Sequence, residues 1–235
     1  MAAPSVFQLP PMGEGPHYRQ VAESFVAQPS TRAAHQSAIE PWRKGRERYW
    51  CWCITLEDGA ILERFRRYQR RLSPFLLKNY RRQRHITVAV CGFWQEDYEA
   101  AEFNDSFTAD QLAIQLDNLA ALPLSPFELK VLGSNSFPSA PFLEVVDNSP
   151  NNQLSRLRQC LLLGTDDFRS SVYCPHLTLG LYDREYSTSE LHFLLGDHED
   201  RQPLSLMVSS LTLMSYDARE LAGPLTMEKQ VMFVH

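Results

Sequence analysis

The chain has 235 residues, 44% of them hydrophobic and 22% charged, and a formal charge of −5, the balance of a globular protein long enough for one large domain or two small lobes. No run of 18 apolar residues occurs, which excludes a membrane-spanning helix, and Met1 to Pro11 shows no basic start followed by an apolar core, so no secretion signal is expected. Five cysteines, an odd number, point to free thiols in a reducing compartment, and the cytoplasm is the expected location.

Residues 1–47 form a separate region by composition. Pro4, Pro10, Pro11, Pro16 and Pro29 interrupt it and no apolar periodicity develops, so it reads as an extension that wraps the domain or is partly disordered. The folded part, residues 48–235, opens with the aromatic run Tyr49 to Leu56, a strand closed by Glu57-Asp58-Gly59. Ile61, Leu62, Phe65, Tyr68 and Leu72 then recur at spacings of three and four, marking an amphipathic helix over 60–72. A strand follows at 85–90. Thr108 with Gln111 reads as a capping box at the head of a helix running to about Ala121. Phe127–Leu132 and Pro141–Val146 read as strands, and 151–163 as a helix closed by Gly164. After a strand at 176–181, a short helix spans Thr188–Leu195, and Leu204–Tyr216 and Lys229–Val234 supply the last strands. Each of the strands at 85 and 176 follows a helix. That recurrence predicts an α+β architecture, bilobal, with two pseudo-symmetric lobes whose mostly antiparallel sheets face a central cleft.

Charge is unevenly placed. Between Trp42 and Arg84 there are thirteen Lys or Arg against four Asp or Glu, a local +9, which leaves −14 for the remainder. Arg64, Arg66, Arg67, Arg70 and Arg71 lie in one helix, and Arg81, Arg82 and Arg84 run into His85. The segment is read as a solvated helix face plus a basic loop, or as an electropositive approach for an anionic substrate. The acidic remainder argues against a coat for extended duplex nucleic acid.

One short word occurs twice: His85-Ile86-Thr87-Val88-Ala89-Val90 and His176-Leu177-Thr178-Leu179-Gly180-Leu181. Residues two apart in a strand share a face, so each word presents an imidazole and a hydroxyl on one side and apolar residues on the other. The loose form His-x-Ser also occurs at His35-Gln36-Ser37, in a stretch with no strand character. Only two of the seven histidines satisfy the strict form, with apolar residues on both sides of the Thr. Two such strands side by side would face two histidines across a cleft, with two hydroxyls between. Cys51 with Cys53, and Cys174 with His176, also share faces, but their spacing is not that of a zinc knuckle or ribbon, and no metal site is expected. Phosphate-loop, nucleophile-elbow and zincin signatures are absent, and no cofactor is expected.

The paired words, about ninety residues apart, and the phrase Tyr173-Cys174-Pro175-His176-Leu177-Thr178-Leu179 resemble the two-histidine (2H) phosphoesterase superfamily. The resemblance covers about four-fifths of the chain, beyond residue 47. It implies a bilobal α+β fold and metal-independent chemistry on cyclic phosphates or 2′-linked phosphodiesters of nucleotides or RNA ends. By resemblance, His85 and His176 become the acid–base pair and Thr87 and Thr178 the phosphate-binding hydroxyls. RNA-ligase-like members often carry an Arg five residues after the second His; here that position is Leu181, and Arg184, three further on, is the candidate substitute.

An imidazole suits both proton transfers of such a reaction, and Thr hydroxyls can donate to non-bridging phosphate oxygens. His176 is read as base and His85, beside its Arg run, as acid. Substrate-binding candidates are Arg84 and Arg184, and the aromatics Tyr173, Tyr182 and Tyr216, for which core packing is the competing role. The expected partner is a nucleotide or RNA-end substrate, with no membrane. The competing function is a catalytically inactive module of the same fold that binds a nucleotide or RNA end.

Overall fold

The computed structural model describes residues 16–57, 59–96, 105–162, 173–195 and 202–233. The described chain opens with a helix in the region where no apolar periodicity was expected. Helix α1 (Pro16–Val26) buries Tyr18, Ala22 and Phe25, a single narrow stripe at i, i+4 and i+7. That stripe is a weak signal among the six prolines of residues 1–47, and tertiary contacts make it a helix. The chain continues through a short helix α2 (Ile39–Arg43) into strand β1 (Arg48–Thr55).

Beyond β1 the order is helix α3 (Gly59–Leu72), strand β2 (His85–Trp94), the two-residue β3 (Ser106–Phe107) and helix α4 (Ala109–Ala121). Both bonds of the expected capping box form at α4: Gln111 N–H donates to Thr108 Oγ1 at 3.4 Å, and Thr108 N–H to Gln111 Oε1 at 3.0 Å. Strands β4 (Phe127–Phe137) and β5 (Ala140–Asp147) form a hairpin, longer than the sequence suggests because the polar run 133–136 stays in the ladder. Helix α5 (Gln153–Leu161), strand β6 (His176–Thr178) and helix α6 (Thr188–Leu195) follow. The closure expected at Gly164 lies outside the described residues. The run 204–216 is two strands, β7 (Leu204–Val208) and β8 (Ser210–Asp217), and β9 (Thr226–Met232) ends the fold. The break has a topological cause: β7 pairs with β4 and β8 with β1, so the chain crosses from one half of the sheet to the other at Ser209.

The strands form one continuous sheet in the order β7-β4-β5-β6-β2-β1-β8-β9, with β3 parallel to the end of β2. Apart from β3, every pairing is antiparallel. The order reads the same from both ends. Strand β1, helix α3 and strand β2 make one unit; β5, α5 and β6 make the other; and the two meet where β2 pairs with β6. The expected α+β fold with two pseudo-symmetric halves is therefore the one observed, its halves joined through a single curled sheet.

One face of the sheet packs on the helices. Ile61, Phe65, Tyr68 and Leu72 of α3 and Leu154, Leu157 and Leu161 of α5 share a core with Ile86, Val88, Leu143 and Leu177. Burial of such aliphatic side chains stabilises by about 1.5–3 kcal/mol each. The basic helix α3 therefore lies on the face opposite the histidines. Arg64, within that helix, is buried and donates to the carbonyls of Val131 and Gln202, at 3.1 and 2.7 Å, tying α3 to the far half of the sheet. No helix of the described residues is long and apolar enough to cross a membrane.

Candidate active site

Strands β2 and β6 meet through the pair Ile86↔Leu177. Alternation sends these two buried side chains to the helix side and sends His85, Thr87, His176 and Thr178 to the other. There all four line one cavity of about 580 Å³. The antiparallel register sets His85 beside Thr178 and Thr87 beside His176, so each imidazole is matched with the hydroxyl of the opposite word.

Both rings are anchored in the same way. Nδ1–H of His85 donates to the Gln83 carbonyl and Nδ1–H of His176 to the Cys174 carbonyl, each at 2.7 Å. A carbonyl only accepts, so this contact assigns the proton to Nδ1 and leaves the Nε2 lone pair of each neutral ring unused by it. The His176 ring also packs against Phe137, at 5.0 Å, and Phe142, at 5.2 Å. Burial pushes the His85 pKa down to about 4; the Gln83 carbonyl opposes this, and the charges of Arg82 and His176 add to it. Burial likewise lowers His176, opposed by the Cys174 carbonyl. In the free protein both rings favour the neutral form, His85 with an added cationic push.

Of the remaining sequence candidates, Tyr216 lines the cavity. The other four lie elsewhere. Arg84 immediately precedes His85 and lies on the helix side of the sheet, its guanidinium 5.9 Å from the Phe65 ring. Tyr173 donates to the Thr87 carbonyl at 2.9 Å with Arg158 over its ring, bracing β2 from the helix side. Tyr182 is fully buried against Ser136, their hydroxyls 2.8 Å apart. Arg184 is exposed and donates to the Tyr186 hydroxyl at 3.2 Å.

The cation in the cavity wall is instead Arg82, whose guanidinium lies 3.9 Å over the Tyr216 ring. Its only sequence signal was membership of the run Arg81–Arg84. It precedes the strand, so alternation says nothing about its direction. No α3 arginine lines the cavity. Also unforeseen is the contribution of residues before 48: Ala34, His35, Ile39 and Trp42 all line it. Cys53 sits opposite Thr87 in the β1–β2 register, and its Sγ is 3.4 Å from that of Cys51. Among the described residues no group of three or more His, Cys, Asp or Glu is placed to hold a metal ion.

The chain is similar, at low identity, to a number of solved structures. A Thermus thermophilus protein is 15% identical, covering 79% of this chain and 97% of its own, with a TM-score of 0.47. Escherichia coli LigT complexed with 3′-AMP is 15% identical, covering 81% and 100%, with a TM-score of 0.46. A protein described as a phosphoesterase is 16% identical, covering 80% and 99%, with a TM-score of 0.49. No curated protein sequence matches the chain. The family model described as the 2′-5′ RNA ligase superfamily matches residues 57–220, a span that contains both histidine words and most of the sheet. With that match and the twofold pairing of β2 with β6, the chain belongs to the 2′-5′ RNA ligase superfamily, the two-histidine phosphoesterases.

Proposed function

We propose that the cleft is a metal-independent phosphodiesterase site that hydrolyses a 2′,3′-cyclic phosphate, or a 2′-linked phosphodiester, of a nucleotide or RNA end. The observation that carries this reading is the equivalent anchoring of two imidazoles, each tied through Nδ1 to the carbonyl two residues before it and each matched with a Thr of the other strand. Membership of a phosphoesterase superfamily supports it.

Hydrolysis needs a proton taken from water as its oxygen attacks phosphorus, and a proton given to the ribose oxygen that leaves on the opposite side. One neutral and one protonated imidazole perform the two transfers and exchange protonation states in one turnover. The hydroxyls of Thr87 and Thr178 donate to the non-bridging oxygens, where charge accumulates in the transition state. Arg82 supplies the neighbouring positive charge. Its push on His85 favours neutral His85 as base and His176 as acid, the reverse of the division expected from the Arg run.

The first test is turnover of nucleoside 2′,3′-cyclic phosphates in EDTA by the wild type and by the His85→Ala/His176→Ala double variant. Turnover that persists in EDTA and vanishes in the double variant is the expected result. Binding without turnover by folded wild-type protein, on cyclic nucleotides and 2′-5′-linked oligonucleotides alike, would overturn the reading in favour of an inactive module.

The pH profile follows from the same groups. The productive free enzyme carries one neutral and one protonated histidine. Activity therefore falls on the acid side as His85 takes a proton near pH 4, and on the basic side as His176 loses one at a value below the ordinary histidine range. The expected kcat/KM profile is a bell on the acidic side of neutrality. A kcat/KM that rises steadily through pH 8 would contradict the pairing.

A further inference from the structure

Residues 30–47 lie outside the span matched by the family model, yet they cross the mouth of the cleft. Backbone N–H groups of Thr31, Arg32 and Ala34 donate to the carbonyls of Tyr186, Pro138 and Tyr182, at 2.9, 2.7 and 2.8 Å, fixing one end to the β4–β6 half. Further along, Gln36 donates to the Arg219 carbonyl at 2.7 Å and accepts from Leu221 N–H at 3.3 Å, and Arg46 pairs with Asp105. Those partners belong to the β1–β2–β8 half. A segment held at both ends across two halves presents a fixed wall.

That wall offers the small side chains Ala33, Ala34 and Ala38 and the larger His35, Ile39 and Trp42. Among the described residues the exposed large hydrophobic side chains are Val26, Trp42, Ile114, Phe193, Met207, Met227 and Met232, and of these Trp42 alone lines the cavity. Its indole packs on Tyr49 at 5.0 Å and on Phe93 at 4.8 Å, which sets its orientation, while 39% of the residue stays exposed. A rigid aromatic surface left open inside a cleft is what a planar ligand stacks on. The cavity, about 580 Å³, exceeds what a phosphate and two hydroxyls need and falls within the range of small-molecule sites.

We propose that Trp42 is the base platform of this site: the nucleobase of a nucleotide stacks on its open face while the phosphate lies at the histidine–threonine end. The proposal rests on the phosphoesterase reading for the identity of the phosphate end. It makes the substrate a nucleotide with an intact base, and it places the determinant of that choice in the segment outside the family match. Stacking is tolerant of base identity because every base has a π-face. The platform therefore selects for the presence of a base and only weakly among bases.

Binding, not turnover, tests this, so that loss of the hydrolytic reading and loss of the platform are told apart. Calorimetric titrations of the full chain, wild type, Trp42→Ala and Trp42→Phe, compare adenosine 2′-phosphate with its base-less methyl riboside counterpart. The wild type is expected to prefer the nucleotide. Trp42→Ala is expected to cut that preference by roughly 5–150-fold, the range of one base stacked on one aromatic side chain, and Trp42→Phe to restore part of it. Melting temperatures establish that each variant is folded. An affinity ratio unchanged in Trp42→Ala, or a wild type that binds neither ligand or shows no preference, would overturn the proposal. A wild type that binds with preference yet hydrolyses neither cyclic nucleotides nor 2′-5′-linked oligonucleotides would leave the platform standing and remove the hydrolytic reading.

Discussion

Replacement of either His85 or His176 by Ala is expected to lower kcat/KM by about 10²–10⁴-fold, the usual contribution of one positioned acid or base. Each ring is half-buried, and its Nδ1 hydrogen bond runs to a carbonyl two residues away, so neither substitution removes a hydrogen bond between elements, and His176→Ala gives up only ring contacts with Phe137 and Phe142. The melting temperature should therefore stay close to that of the wild type while activity is lost. The two histidines act as one unit, so the double variant should be little worse than either single one. Thr178→Ala removes a hydrogen bond to a charged group, worth roughly 1.5–3 kcal/mol, and should be milder. Steady-state kinetics on one cyclic nucleotide decide the matter. A Thr178→Ala loss equal to that of His176→Ala would sink the division of roles, and near-wild-type activity in either His variant would sink the mechanism.

Leu177→Ala should be the most damaging change for stability near the site, costing about 2–5 kcal/mol, the range for a large-to-small substitution at a closely packed position. Leu177 is fully buried, paired with Ile86 across the strands and with Leu143 on its other side. It is the point at which the two halves of the sheet join, and it fixes the direction of His176 and Thr178 from the opposite face. Ile86→Ala should cost a similar amount by the twofold relation. Because the two side chains are directly paired in the same core, the double variant should depart from additivity. Urea denaturation of the four proteins measures this. Additive losses under about 1 kcal/mol each would mean that the joint is loosely packed and does not set the register of the histidines.

Much of this architecture was legible in the residues themselves. The period of two in both histidine words and the period of three to four in 60–72 are local signals, and local signals survive without knowledge of the tertiary fold. They sufficed for the helix–strand recurrence, for the capping box at Thr108 and for the face on which His85, Thr87, His176 and Thr178 lie.

What required the tertiary structure was everything that depends on which surfaces meet. Residue type does not tell a cleft tyrosine from a core one: Tyr216 lines the cavity, while Tyr182 closes on Ser136 and Tyr173 braces Thr87 from behind. The basic run pointed to an electropositive approach, but the face of α3 that packs on the sheet sets it on the side opposite the histidines, and only Arg82, ahead of strand β2, reaches the site. The split of 204–216 at Ser209 reflects two different partner strands, a choice made by pairing and not by composition. Helix α1 does space Tyr18, Val21, Ala22, Phe25 and Val26 as a helix does, a signal masked by the prolines around it, whereas the segment carrying Trp42 has no such spacing. That segment is held by carbonyls and side chains more than a hundred residues away, and non-local contacts of that kind leave no periodic trace in a sequence.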